Sequence, residues 1–327
     1  MKTSLLIVHP FVQAYREGLY SELAKHLGEH DILVRVAQGP PPPSLAGRRD
    51  AATARWAMPT PTTWVRVGGK DVALRRIPHN TDLVIVEQAI KNVETYPLLA
   101  RKSLHGPSVA MWGHGRSYST PQGPALAATK QFLTRRCDWF FAYTQAGADH
   151  VIAHGFPAAR VSVLNNTIDT GALRRDLDSV SDDDVAAFSR QQGLTPGRTA
   201  LFLGGVDSAK GIDFLLESAV EAEKRLPGFI LLVGGAGDQQ DDVEQAQRAG
   251  APIRALGRLD GHAKALALRA ADVMAIPSSV GLVAVDSLVA GVPIATRANG
   301  THGPEADYLT PEVAIWLAAT TDSAEYA

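Results

Sequence analysis

The chain has 327 residues, 45% apolar and 20% charged, with a formal net charge of −2. That length suffices for two domains of ordinary size, each with its own core, and the near-neutral balance lacks the basic surface that nucleic-acid binders carry. Its one cysteine, Cys137, excludes an internal disulfide and a cysteine-rich metal site, and no segment approaches the ~20 apolar residues of a membrane-spanning helix.

Residues 3–8 (TSLLIV) lead into a His-Pro turn and read as a first β-strand rather than a signal peptide. A cytoplasmic protein is expected, with peripheral contact to a membrane surface left open. Further strands are expected at 32–37 (ILVRVA), 82–87 (DLVIVE), 108–112 (SVAMW), 139–143 (WFFAY) and 161–165 (VSVLN), with helical apolar spacing over 15–29 and 124–136. Proline-rich 39–63 cannot hold a regular element, because proline lacks an N–H and fixes φ; it reads as an excursion from the sheet edge. Residues 62–77 alternate around Gly68-Gly69, a hairpin signal. Cys137 precedes a strand and reads as a small buried hydrophobe.

Residues 174–198 are polar and turn-rich and mark the domain boundary, giving domains 1–170 and 171–327. Within them SDDDVAAF is an acidic helix start rather than a metal cluster. Beyond it, strands at 199–205, 229–235, 253–257, 273–277 and 292–296 alternate with helices at 212–226, 242–250, 262–271 and 282–291. This is an α/β chain of two Rossmann-like, doubly wound parallel sheets, with ligands expected in the cleft between them at strand carboxyl ends. The glycine pattern of VGGAGD (233–238) follows a mid-domain strand and lacks the full dinucleotide fingerprint.

The most informative stretch is 272–309, ADVMAIPSSVGLVAVDSLVAGVPIATRANGTHGPEADYL counted from Ala271. A buried strand, a turn of small residues and a helix start let a ligand approach backbone N–H groups that carry partial positive charge. Asp286 lies about one turn into that helix, beside whatever its start holds. Earlier, LFLGGVDSAKGIDFLLE closes a glycine-bearing strand-to-helix loop with Lys210. Together these segments resemble the donor-binding signatures of family-4 retaining glycosyltransferases of the GT-B fold, and the resemblance covers most of the chain.

The resemblance implies a nucleotide-sugar donor, a UDP-sugar foremost, and a small-molecule or lipid-linked acceptor, with no cofactor or metal. The ten histidines, which show no ligand spacing, agree with that expectation. It assigns donor binding to Gly204, Gly205, Lys210, Ser278, Ser279, Val280, Gly281, Leu282 and Asp286. Two family positions depart from pattern. Gly205 stands where an arginine neutralises the diphosphate, and Ser278 where a first glutamate meets the sugar. Asp286 takes the second glutamate's place, toward the ribose. A branch with this Gly-Gly pair also carries a loop like HGPEADYL, which makes Glu305 the candidate replacement carboxylate.

In the first domain the resemblance places His114, flanked by Gly113 and Gly115, near the donor sugar. Such flanking glycines imply close approach of a ligand or of backbone. Candidate catalytic residues are therefore His114, Lys210 and Glu305. Arg116 could meet the diphosphate, while Tyr15, Arg16, Glu87 and Lys91 are candidates for acceptor or phosphate. Family members continue past this point with further helices, so a C-terminal tail is expected beyond the sequence. Three other readings stand beside transfer: a GT-B nucleotide-sugar epimerase, a non-catalytic nucleotide-binding protein, and a nicotinamide-dependent reductase. The last conflicts with the glycine-free first turn, HPFVQAY.

Overall fold

The computed structural model describes all residues except 1, 10, 44–56, 79, 103–105, 119–122 and 318–321. It divides into two units, Met1–Ile168 and Asp169–Ala327. Both are Rossmann-like, with parallel sheets flanked by helices.

Unit one runs β1 (Thr3–Val8), α1 (Glu17–Glu29), β2 (Ile32–Gln38), β3 (Ala57–Pro59), β4 (Thr62–Val67), β5 (Lys70–Arg75), β6 (Leu83–Glu87), α2 (Thr95–Lys102), β7 (Ser108–Gly113), α3 (Pro124–Arg136), β8 (Trp139–Ala142), α4 (Gln145–Ala153) and β9 (Val161–Val163). Its main sheet has the order β3-β2-β1-β6-β7-β8-β9, with every pairing parallel. The strands are near-continuous apolar runs because both faces are covered. Alternation sends Leu6, Val8, Val84, Val86 and Met111 to one buried cluster, and Leu5, Ile7, Val34, Ile85 and Trp112 to another. Cys137 is fully buried just before β8.

The proline-rich segment departs from expectation at its end. Ala57–Pro59 forms an edge strand beside β2, pairing Val36 to Gln38 in register. Proline is tolerated there because the edge N–H needs no partner. The expected hairpin is β4–β5, with Val67 opposite Lys70 and Gly68 and Gly69 at φ 55° and 77°. Positive φ at both positions is what a two-residue turn of matching twist requires. The hairpin is anchored by Arg75. Its guanidinium donates to the His9 carbonyl and pairs with Glu94 at 2.6 Å, with both side chains buried.

Unit two runs α5 (Thr170–Ser179), α6 (Asp182–Gln192), β10 (Thr199–Gly205), α7 (Ile212–Arg225), β11 (Ile230–Ala236), α8 (Gln240–Arg248), β12 (Ile253–Gly257), α9 (Gly261–Ala270), β13 (Val273–Ala275), α10 (Val283–Ala290), β14 (Ile294–Arg297), β15 (Ala314–Leu317) and α11 (Ser323–Tyr326). The turn-rich reading of 174–198 is corrected, since most of it is α5 and α6, which pack on α9. The acidic start of α6 is a capping box. Ser181 Oγ accepts from the Asp184 N–H, and Asp184 accepts from the Ser181 N–H.

The sheet has the order β12-β11-β10-β13-β14-β15, so strand order reverses between β10 and β13. The glycines of 233–238 serve this packing. A Cβ on Gly235 would lie 1.9 Å from the Gly204 carbonyl oxygen, and one on Gly237 would lie 2.2 Å from that of Val206. They are glycines because two backbones touch, and no dinucleotide is needed to explain them. No helix among the described residues is long and apolar enough to cross a membrane.

Truncating Glu94 leaves the Arg75 cation buried without its counter-charge. Glu94→Ala is expected to lower stability by about 3–5 kcal/mol, read as a shift in the urea midpoint. An unchanged midpoint would show that the hairpin is held by other contacts.

Candidate functional site

At the reversal in unit two, the loops after β10 and β13 leave the sheet side by side, the place where open α/β sheets leave a crevice. The loop after β10 makes a single 3₁₀ turn at Ser208–Lys210 and enters α7 through Gly211, which has φ 73°. A side chain there would be strained. The loop after β13 carries Ser278, buried against Gly211, then Ser279, Val280 and Gly281. Leu282 caps α10 with no side-chain bond to its first N–H groups.

The two loops are tied together. Lys210 Nζ donates to the Ser279 carbonyl at 2.5 Å, and Ser279 Oγ donates to the Ala209 carbonyl at 2.8 Å. Gly204 is exposed and Gly205 half-buried at the end of β10. Arg297, at the end of β14, donates from Nε to the Pro277 carbonyl at 3.1 Å. Its guanidinium lies 4.0 Å over the Phe214 ring, and Nη2 is 3.9 Å from where a Cβ on Gly211 would sit. Sequence reasoning passed over Arg297, yet it brings a second cation to the turn from which the family arginine is missing at Gly205.

Glu305 lies in a 3₁₀ turn, Pro304–Tyr308, and is 4% exposed. Its Oε2 is 3.8 Å from the Cβ position of Gly281 and 2.8 Å from that of Gly303. The loop therefore brings this carboxylate to the start of α10, beside the small-residue turn. The same loop carries His302, also missed from sequence. Its Nδ1 accepts from the Val280 N–H at 3.4 Å, and its Nε2 faces the Arg297 carbonyl at 2.7 Å.

Asp286 is buried and sits on α10, where Lys264 of α9 pairs with it at 2.5 Å. Burial raises its pKa, and Lys264 opposes the rise. Lys264 was not legible, since nothing in a lone sequence couples the first turn of one helix to the first turn of the next.

In unit one, Arg16 is 6% exposed and follows the first strand. It donates to Tyr15 Oη at 3.1 Å and to Tyr143 Oη at 3.0 Å, and its guanidinium lies 5.0 Å from the Trp112 ring centroid. His114 stands edge-on to Tyr143, with centroids 4.7 Å apart. Of its flanking glycines, Gly113 faces the Gln88 side chain, where a Cβ would lie 2.9 Å from Gln88 Cβ, and Gly115 answers to backbone. A Cβ on Gly115 would lie 2.4 Å from the Gly147 carbonyl oxygen, and one on Gly147 would lie 2.9 Å from that of His114.

Burial, with Lys130 and Arg16 nearby, lowers the His114 pKa to about 4. Burial also lowers Lys130 on α3 to about 8, against the opposing pull of Glu87. Glu87 is half-buried, Lys91 and Tyr15 are exposed, and Arg116 is exposed with its guanidinium 4.6 Å over Tyr118. Among the described residues no group of three or more His, Cys, Asp or Glu is placed to hold a metal ion.

Comparison with known proteins bears on both units. Residues 197–327 match the family model "Glycosyl transferases group 1", and residues 19–172 match "Glycosyltransferase Family 4". The phosphatidyl-myo-inositol mannosyltransferase of Mycobacterium tuberculosis is 37% identical over 118 residues, 34% of this chain and 31% of that protein. The match thus spans about a third of the curated relative's length (31%). The glycogen synthase of the same organism is 24% identical over 235 residues, 69% of this chain and 53% of that protein. The crystal structure of Anabaena HepE in complex with UDP has a TM-score of 0.62 at 16% identity, covering 99% of this chain and 87% of that one. At that identity the likeness speaks for the fold.

The depressed His114 pKa has a stability consequence. The unfolded chain takes up a proton at this residue as pH falls below the ordinary imidazole value of 6.5, whereas the folded chain does not until about 4. Its contribution is present above 6.5 and is lost as pH falls through that window. His114→Asn should show a shallower loss of Tm between pH 6.5 and 4 than the parent, and parallel curves would contradict the burial of a neutral imidazole.

Proposed function

Because the chain belongs to the family-4 glycosyltransferases, with the two Rossmann-like domains of the GT-B fold, we propose that it transfers a sugar from a nucleoside diphosphate sugar to a small-molecule or lipid-linked acceptor. In this reading the anomeric configuration is retained and no metal or cofactor takes part. The reaction is assigned to the cytoplasm. The observation that carries the proposal is the convergence of Lys210, Arg297, Glu305 and the start of α10 at the strand-order reversal of unit two. The relatives agree with it: one is named a phosphatidyl-myo-inositol mannosyltransferase, and one solved structure is a complex with UDP.

Departure of the nucleoside diphosphate builds negative charge. Lys210, Arg297 and the N–H groups at the start of α10 form a preorganised positive environment for it, the kind of term that usually dominates such catalysis. The Glu305 carboxylate supplies the charge that Ser278 does not, facing the oxocarbenium-like centre as it forms. Asp286, with Lys264 behind it, takes the ribose hydroxyls. Same-face substitution needs no protein nucleophile, and His114 lies with the donor sugar as a neutral imidazole. Tyr15, Arg16, Glu87 and Arg116 belong to the acceptor or phosphate side in this reading.

A second reading is ligand binding without transfer, favoured by the absent charges at Gly205 and Ser278 and by the neutralising pair on Asp286. Donor binding without hydrolysis or transfer in any acceptor screen would select it.

Lys210→Ala is expected to weaken UDP or GDP binding by about 1.5–3 kcal/mol, the scale of a charge-assisted hydrogen bond. Calorimetry on a variant with unchanged Tm decides this, and unaltered affinity for both would remove the diphosphate assignment. Among kinetic variants, Asp286→Ala should raise KM chiefly, because a bond to ribose is made equally in ground and transition states. Glu305→Gln should lower kcat, because its charge matters most as the cationic centre forms. Reversal of that pattern would exchange the two roles.

A further inference from the structure

One peptide group in unit two, that joining Ser279 to Val280, is held at both of its polar ends. Its carbonyl accepts from Lys210 Nζ at 2.5 Å. Its N–H donates to His302 Nδ1 at 3.4 Å. The next carbonyl, that of Val280, accepts from the Gly303 N–H at 2.6 Å. Ser279 itself has φ 52°, a left-handed conformation that costs a non-glycine residue roughly 1 kcal/mol or more. The turn is thus kept in a conformation it would not choose alone, by the same lysine that the donor diphosphate would recruit.

The hydrogen bonds define the state of His302. Nδ1 accepts, so the ring proton is on Nε2, which donates to the Arg297 carbonyl at 2.7 Å. The imidazole is neutral and fixed in one tautomer by two backbone partners. Around it stand Lys210 from the loop after β10, Arg297 from the end of β14, and the Trp316 ring of β15, edge-on at 5.6 Å. Glu305 lies against the adjoining Gly303. Burial lowers the His302 pKa, its bond to the Arg297 carbonyl raises it, and the Arg297 and Lys210 charges lower it further.

We propose that His302 is a positioning residue for the nucleoside diphosphate, holding the Val280 N–H in the ligand-free protein and yielding it to phosphate with uptake of one proton at Nδ1. The inference rests on the donor reading above. An arriving diphosphate draws the Lys210 ammonium from the Ser279 carbonyl and takes the Val280 N–H. Nδ1 then loses its donor and faces a dianion, so the imidazolium becomes the favoured form. The proton comes from solvent, no covalent bond changes, and the ring now donates from both nitrogens, to the Arg297 carbonyl and to phosphate. The site gains a cation only when the anion is there to need it. This supplies charge to a site where Gly205, at the end of β10, stands in the place of the family arginine.

The test is calorimetric titration with UDP and GDP at pH 7 in two buffers of different ionisation enthalpy, for the parent chain and for His302→Asn. Asparagine Oδ1 can still accept from the Val280 N–H but cannot titrate, so a purely structural role would survive the change. The parent is expected to take up more protons per nucleotide than the variant. Its affinity should also rise from pH 8 to 6 by roughly three- to tenfold relative to the variant, as linkage requires. Titration of the nucleotide's own phosphate cancels in the comparison. Equal proton uptake with intact binding overturns the role of His302 and leaves the donor site standing. Absence of UDP and GDP binding by the parent overturns the donor reading and this proposal with it. If the variant does not fold, ¹⁵N shifts of the parent's imidazole decide. A change at Nδ1 from acceptor-type to protonated on adding UDP supports the proposal, and an unchanged Nδ1 overturns it.

Discussion

One ammonium group joins the two loops on which the candidate donor site is built. Lys210 leaves the sheet after β10 and closes on the carbonyl of Ser279, which leaves the sheet after β13. The strands concerned are neighbours across the reversal of strand order. A charge-assisted bond to a carbonyl is worth more than a neutral one, and here it spans 69 residues of chain. The 3₁₀ turn before α7, the left-handed serine and the uncapped start of α10 are arranged around it.

Much of the architecture was legible because both sheets are parallel and covered on both faces. Strands such as Leu83–Glu87 and Ile230–Ala236 read as unbroken apolar runs, and Gly68-Gly69 announced its hairpin through backbone need. The region 174–198 misled because α5 and α6 present only a narrow apolar stripe to α9, with Leu173 and Val180 among the few buried side chains. The edge strand Ala57–Pro59 was hidden by its proline, since the rule that excludes proline from strands relaxes at an edge.

The site was legible where a local rule applied and opaque where two distant elements meet. Lys210, the 278–282 turn and Glu305 each sit in a segment whose own pattern of small and charged residues is unusual. Arg297, His302 and Lys264 carry no such mark. Their importance comes from a carbonyl at Pro277, an N–H at Val280 and a carboxylate at Asp286, none of which is near in sequence. The VGGAGD glycines show the converse. Their pattern looked chemical, and its cause is steric contact between β11 and the end of β10.

The contact between Gly115 and Gly147 has a consequence for how unit one can change over time. The loop bearing His114 meets α4 backbone to backbone at this point: a Cβ on Gly115 would strike the Gly147 carbonyl oxygen, and one on Gly147 would strike that of His114. A group located by backbone against backbone is insulated from drift in the residues lining its surroundings. Side chains other than Tyr143 and Tyr118, whose rings stand edge-on to the imidazole, can be exchanged while the main chain that carries it stays where it is. The two glycines are locked as a pair, and that lock is what leaves the rest of the wall free to vary.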